Sequence, residues 1–161
     1  SGHLTPLATI EAIAENISGV LLVDEAYIDF VDPSTAYSTK DLLNARANVL
    51  VLRTFSTGYS LAGLRLGYLL GDPELIKPML EKTRDSYNVD AISQALGLAA
   101  IEDQAYAQET WRVVREQRQV LSDALSAMGF SCPASEANFL LATMPEEIDL
   151  VILKRNNCIS K

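Results

Sequence analysis

Two acids follow a short apolar run, and they are the first residues of the chain with an evident chemistry. Val20-Leu21-Leu22-Val23 leads into Asp24-Glu25-Ala26-Tyr27. Acids at the carboxyl end of a buried strand stand where open α/β sheets place their ligands. Three readings of Asp24 are open. It can be a turn acid that caps the next element. It can pair with the protonated pyridine nitrogen of a cofactor and make that ring a better electron sink. It can also hold Mg²⁺ at the end of a Walker B strand. The last reading needs a GxxxxGK(S/T) loop, usually upstream, and no GK(S/T) occurs in this sequence. A Walker B-bearing ATPase piece is therefore the remote alternative.

Other chemistry-bearing residues are sparse. His3 lies near the terminus and reads as a solvated side chain. Cys132 and Cys158 are 26 residues apart, with no CxxC and only His3 to join them. No metal site is expected. Two small apolar thiols in a reducing cytoplasm fit better. The 161 residues suffice for a domain with a real core, and 48% hydrophobic with 21% charged is an ordinary globular composition. A formal net charge of -8 argues against a nucleic-acid surface. No apolar run reaches the roughly 18 residues of a membrane span. The expected location is the cytoplasm.

The elements that must position Asp24 follow from periodicity. Thr5-Pro6 reads as a helix start, with a hydroxyl cap and proline at the first helical position. Leu7, Ile10, Ala14 and Ile17 then share one face, and Gly19 is a stop. Val20–Val23 and Val49–Leu52 are short continuous apolar runs, the mark of strands buried on both faces. Residues 32–40 read as a polar loop and 41–47 as a short helix. Leu66–Leu70 is a third strand, about a dozen residues after the second. That is too short for a parallel crossover, so it is expected antiparallel. Asp72-Pro73 starts a helix with an awkward interior Pro78, and Asp90 caps one running to Ile101. The clearest helix spans Gln104 to Met128, with Trp111, Val114, Leu121, Leu125 and Met128 at 3/4 spacing, broken by Arg118, and Gly129 as its stop. Its charged face, Glu109, Arg112, Arg115, Glu116 and Arg118, is expected to be solvated. Phe139-Leu140-Leu141 reads as a β-like piece and 146–154 as a last helical segment.

A second motif decides among the readings of Asp24. Arg53-Thr54-Phe55-Ser56-Thr57-Gly58-Tyr59-Ser60-Leu61-Ala62-Gly63-Leu64-Arg65-Leu66-Gly67-Tyr68 closely resembles the cofactor-anchoring segment of fold-type I pyridoxal-phosphate aminotransferases, the histidinol-phosphate branch above all. The likeness also runs through Asp24–Phe30, Tyr87-Asn88-Val89 and Ala137-Asn138-Phe139, in the family's order and over essentially the whole chain.

The resemblance implies an α/β fold. It would be the C-terminal part of the large cofactor-binding domain over 1–102, with a mostly parallel sheet and one antiparallel strand. Residues 103–161 would add a linking helix and an incomplete α+β small domain. It implies that Asp24 matches the partner of the pyridinium nitrogen and Tyr27 that of the phenolic oxygen. Ser56 and Arg65 match the phosphate ligands, with Thr54 beside them. A hydroxyl and a guanidinium suit a phosphate dianion. Gly58, Gly63 and Gly67 would let backbone and helix approach closely. Ser60 stands where the family often has glycine.

Thr57 stands where the family has the lysine that carries the cofactor as a Schiff base. A hydroxyl can neither form an imine nor act as an amine base. Pyridoxal 5'-phosphate is thus expected to be held non-covalently at best. The function implied is amino transfer between histidinol phosphate, or a similar amine, and a 2-oxo acid, a step of histidine biosynthesis run by a homodimer. The alternative is a catalytically inactive homologue or fragment acting as a binding or assembly subunit. The family's glycine-rich phosphate turn is expected upstream of this sequence and its substrate-carboxylate arginine downstream.

Overall fold

The computed structural model describes residues 2–83 and 87–145. Three strands form one sheet in the order β1 (Leu21–Asp24), β2 (Val49–Thr54), β3 (Gly67–Gly71). β1 and β2 are parallel, with Leu21 opposite Val49 and Asp24 opposite Leu52. β2 and β3 are antiparallel, with Thr54 opposite Gly67 and Arg53 opposite Tyr68. The short connection between β2 and β3 thus gives the reversal that its length demands. Among the described residues the sheet is mixed, one parallel pair and one antiparallel pair, rather than mostly parallel.

β2 is the central strand, and Val49, Leu50 and Val51 are buried. β1 departs from the expectation of burial on both faces. Its residues alternate between half-buried and exposed, with Leu22 at 53% exposure. The reason is position: among the described residues β1 is an edge of this sheet, and only its Leu21 and Val23 side meets the core. That core joins Ile10 and Ala14 of α1 (Leu7–Asn16) and Leu42 of α2 (Lys40–Ala45) to Val49 and Val51.

The helix starts read from the sequence obey local chemistry, with one exception. Asp72 accepts from the Glu74 amide at 2.8 Å and starts α3 (Pro73–Lys82), which keeps Pro78 inside it. Asp90 accepts from the Ser93 amide at 2.8 Å and starts α4 (Ala91–Glu102). Thr5 is the exception. The helix begins one residue later than expected, Pro6 takes the cap position, and its carbonyl receives the Thr9 and Ile10 amides without any side-chain cap. The loop over 32–40 contains a single 3-10 turn, Pro33–Thr35, capped by Asp32.

α5 (Gln104–Ala127) has 24 residues, about 36 Å at 1.5 Å each. Gly129 at φ +88° closes it, with the Phe130 amide bonded back to the Leu125 carbonyl. Its inward face is the expected one only in part: Trp111, Val114 and Leu125 are half-buried. Leu121 and Met128 are exposed, while Ala107 is buried and Arg118 turns inward. The Arg118 side chain is 13% exposed and donates to the Ala137 carbonyl at 2.8 Å and the Phe30 carbonyl at 3.3 Å. It also pairs with Glu136 at 3.3 Å. A guanidinium that finds two carbonyls and a carboxylate has no reason to face water, so the solvated charged face excludes Arg118. Phe139–Leu141 forms no strand, and the only β pairing after α5 among the described residues is the bridge between Ser131 and Thr143. The helix expected over 146–154 and Cys158 lie outside the described residues, and Cys132 is half-buried.

Candidate active site

The carboxyl ends of β1 and β2 and the start of β3 meet at one end of the sheet. Asp24 is the last residue of β1, Thr54 the last of β2, and Arg65 lies two residues before β3. The topology therefore brings all six expected residues, Asp24, Tyr27, Thr54, Ser56, Thr57 and Arg65, to the same end.

Asp24 is exposed, and its Oδ1 accepts from the Ala26 amide at 3.0 Å, which leaves Oδ2 for a ligand. Tyr27 is 42% exposed, and its ring meets Phe139 edge-on with centroids 5.2 Å apart. Both residues line a cleft of about 450 Å³ with Leu4, Ile13, Leu22 and Phe139. His3 is exposed on the same cleft. Thr54, Ser56, Thr57 and Arg65 do not line it, so the cleft unites only part of the expected set. The Thr57 hydroxyl is directed to the Ala26 carbonyl and links the two groups. The Thr54 Oγ1 accepts from the Ser56 amide at 3.0 Å.

Arg65 is exposed and donates to the Ala62 carbonyl at 3.2 Å. It stands at φ +50° and Ser60 at φ +57°, both in the left-handed region that disfavours side chains. The conformation at Ser60 explains why glycine suits that position. Of the three glycines, two mark close approaches. A Cβ on Gly58 would lie 2.0 Å from Asp29 Oδ2, and one on Gly67 would lie 2.7 Å from the Arg53 carbonyl oxygen. Gly63 faces open space, so no close approach explains it.

A buried charge cluster beneath the site was not foreseen. Glu25, with its side chain 3% exposed, receives Arg53 Nε at 2.8 Å and Nη2 at 2.7 Å, both on Oε2. The first β pair is Leu21 with Val49, and four residues further along each strand come Glu25 and Arg53. Two apolar runs ending in opposite charges at the same offset were the signal in the sequence. Burial works against the Arg53 charge, but Glu25 and Tyr68 outweigh it and raise its pKa. Burial pushes the Asp29 carboxyl up to about 6, with Arg53 opposing the rise and Glu25 adding to it. Above the cluster, Phe55, Tyr59, Tyr68 and Trp111 form a chain of rings with centroids 5.1 to 5.7 Å apart. The Trp111 Nε1 donates to the Gly58 carbonyl at 2.6 Å and ties α5 to the turn after β2.

No three His, Cys, Asp or Glu side chains group as a metal site among the described residues. No described helix is long and apolar enough to cross a membrane.

Comparisons with known proteins bear on this geometry. The profile of the family Aminotransferase class I and II matches residues 1–155. Histidinol-phosphate aminotransferase 1 of Nostoc sp. is 44% identical over 146 residues, 91% of this chain and 40% of that protein. The chain thus spans about 40% of the length of this curated relative. The crystal structure of histidinol-phosphate aminotransferase from Sinorhizobium meliloti in complex with pyridoxal-5'-phosphate matches with a TM-score of 0.77 at 30% identity. That match covers 86% of this chain and 38% of that one. A decarboxylase from Sulfurospirillum multivorans matches with a TM-score of 0.78 at 24% identity, over 95% of this chain and 45% of that one, a likeness of fold alone. With its sheet topology, its residues at the strand ends and a profile match over nearly its whole length, the chain belongs to the class I and II aminotransferase family.

Proposed function

We propose that this chain carries part of a pyridoxal 5'-phosphate site belonging to an aminotransferase. Its substrates would be histidinol phosphate, or a similar phosphorylated amine, and a 2-oxo acid. The observation that carries the reading is the meeting of Asp24 and the Thr54–Thr57 turn at one end of the sheet, joined by the Thr57–Ala26 hydrogen bond. The relatives at 41% to 44% identity support the histidinol-phosphate branch. Residues 1–102 would belong to the large domain and 103–161 to the linking helix and small domain. The working unit would be a cytoplasmic homodimer in histidine biosynthesis.

The donor set suits a phosphorylated pyridine. Asp24 has one carboxylate oxygen free of the Ala26 amide and would keep the ring nitrogen protonated. Tyr27, braced by Phe139, would donate to or accept from the phenolic oxygen. Ser56, Thr54 and Arg65 would bind the phosphate. The bound group supplies a sink for the electron pair released at the amine-bearing carbon. Residue 57 cannot hold that group covalently, and no amine base stands there to move the substrate proton. Lys40, Lys77 and Lys82 lie on α2 and α3. Thr57 therefore favours a second reading, a catalytically inactive homologue that binds or assembles.

The test is equilibrium dialysis of pyridoxal 5'-phosphate against the chain and its Asp24→Asn and Arg65→Ala variants. The reading expects reversible binding, weakened about tenfold or more by each substitution, and no cofactor fixed at residue 57 by borohydride. Equal binding by all three proteins would overturn the site.

A further inference from the structure

We propose that Glu25 and Arg53 are positioning residues, an ion pair that holds the Asp24–Tyr27 loop and the Thr54–Thr57 turn in one relative geometry. The inference rests on the reading of Asp24 and Thr54 given above. Three observations carry it.

The pair sits at the junction of the two segments. Glu25 follows Asp24 and Arg53 precedes Thr54, so each charged residue is the immediate neighbour of an expected contact residue. Successive side chains of an extended segment point to opposite faces. Fixing Glu25 inward therefore holds Asp24 outward, and fixing Arg53 orients Thr54. The Glu25 amide also donates to the Leu52 carbonyl at 2.9 Å, extending the parallel ladder one residue past the strand.

Arg53 is placed to organise more than one partner. It lies on the central strand, pairs with Glu25 beyond β1 and stands opposite Tyr68 of β3. Asp29 lies in its field and packs against Gly58, so the loop and the turn touch again behind the pair.

The pair is poorly built for stability. Both Arg53 nitrogens reach Oε2, while Oε1 of Glu25 is buried without a hydrogen-bond partner. A buried acid with an unsatisfied oxygen gives little net stabilisation, and apolar replacements of such pairs are often neutral. What the pair supplies is position: two donors of one planar guanidinium converge on Oε2 and fix where the end of the Glu25 side chain lies against Arg53.

The test compares the full chain with Glu25→Gln, Arg53→Lys and the double variant Glu25→Met/Arg53→Met, which removes both charges. Amide hydrogen exchange is read at Ala26, bonded to Asp24, and at Ser56, bonded to Thr54. The expected result is at least tenfold faster exchange at both amides in Glu25→Gln and the double variant, and a smaller change in Arg53→Lys. Val51 and Leu52 of the central strand should stay within about twofold. Acceleration of all amides together, failure of every variant to fold, or no change at Ala26 and Ser56 would each overturn the proposal. Pyridoxal 5'-phosphate affinity separates the two ideas. If the parent chain binds it and the variants bind it equally, the positioning role falls and the site stands. If exchange responds as expected while Asp24→Asn binds like the parent, or the parent binds nothing, the clamp stands and the cofactor reading falls.

Discussion

The Thr57 hydroxyl donates to the carbonyl of Ala26, so the residue in the lysine position is tied to the loop that carries Asp24 and Tyr27. The bond joins the ends of two parallel strands, β1 and β2, across the candidate site. Thr57→Ala should lower stability by about 1 kcal/mol, the usual net worth of such a bond, seen as a shifted urea midpoint. Thr57→Lys gives up the same bond but restores an amine. In a protein completed with the segments its relatives have, the lysine variant should fix cofactor on borohydride treatment and gain amino-transfer activity. Equal turnover by the threonine and lysine forms would show that residue 57 plays no covalent part.

Backbone strain at two positions makes opposite predictions for stability and binding. Ser60 and Arg65 hold φ near +57° and +50°. Ser60→Gly should stabilise the chain by about 0.5–1 kcal/mol, less the entropy that glycine adds to the unfolded state, without changing phosphate affinity. Arg65→Gly should stabilise by a similar amount yet weaken binding of pyridoxal phosphate and of inorganic phosphate alike. Thermal melts and phosphate titrations check both, and a destabilised Arg65→Gly would remove the strain argument.

Asp29 sets a pH dependence of known sign. Its carboxyl is raised to about 6 in the folded chain, chiefly by burial. The folded state thus keeps a proton that the unfolded chain releases from about pH 4 upward. This cost is absent below about pH 4, grows as pH rises, and is complete above about pH 6. Asp29→Asn should therefore be more stable than the parent at pH 7 by roughly 1–3 kcal/mol, allowing for partial solvent screening, and equal to it near pH 4. Urea unfolding at several pH values measures the difference. A gap that does not change with pH would assign the effect to packing instead.

Arg118 holds three segments together, and its loss should be felt away from α5. Arg118→Ala frees the carbonyls of Phe30 and Ala137 and leaves Glu136 with only the Asp32 amide, 3.0 Å away. The expected destabilisation is about 2–3 kcal/mol, with exchange protection lost around Ser135–Ala137. Arg118→Lys should recover only part, because an ammonium cannot reach two carbonyls and a carboxylate in a fixed plane. Unchanged protection in the alanine variant would make the contact incidental.

The sequence by itself determined the local elements and the chemistry on offer. Continuous apolar runs placed the three strands, periodicity placed α1 and α5, Asp72 and Asp90 announced the starts of α3 and α4, and Gly129 announced the stop of α5, because these depend on neighbours within a turn or two. The short link from β2 to β3 determined the antiparallel pairing, since the chain cannot cross over in so few residues. Motif wording led to Asp24, Tyr27 and the Thr54–Arg65 stretch.

Only the tertiary structure decided what each residue faces. β1 is half-exposed because it is an edge among the described residues, which its apolar run cannot reveal. Arg118 turned inward because carbonyls from residues 30 and 137, remote in sequence, converge on it. Glu25 found Arg53 through a strand register that exists only once two segments 28 residues apart lie side by side. The matching offsets of Glu25 and Arg53 can be read along the chain, but which segments pair, and in which register, is fixed by packing rather than by spacing.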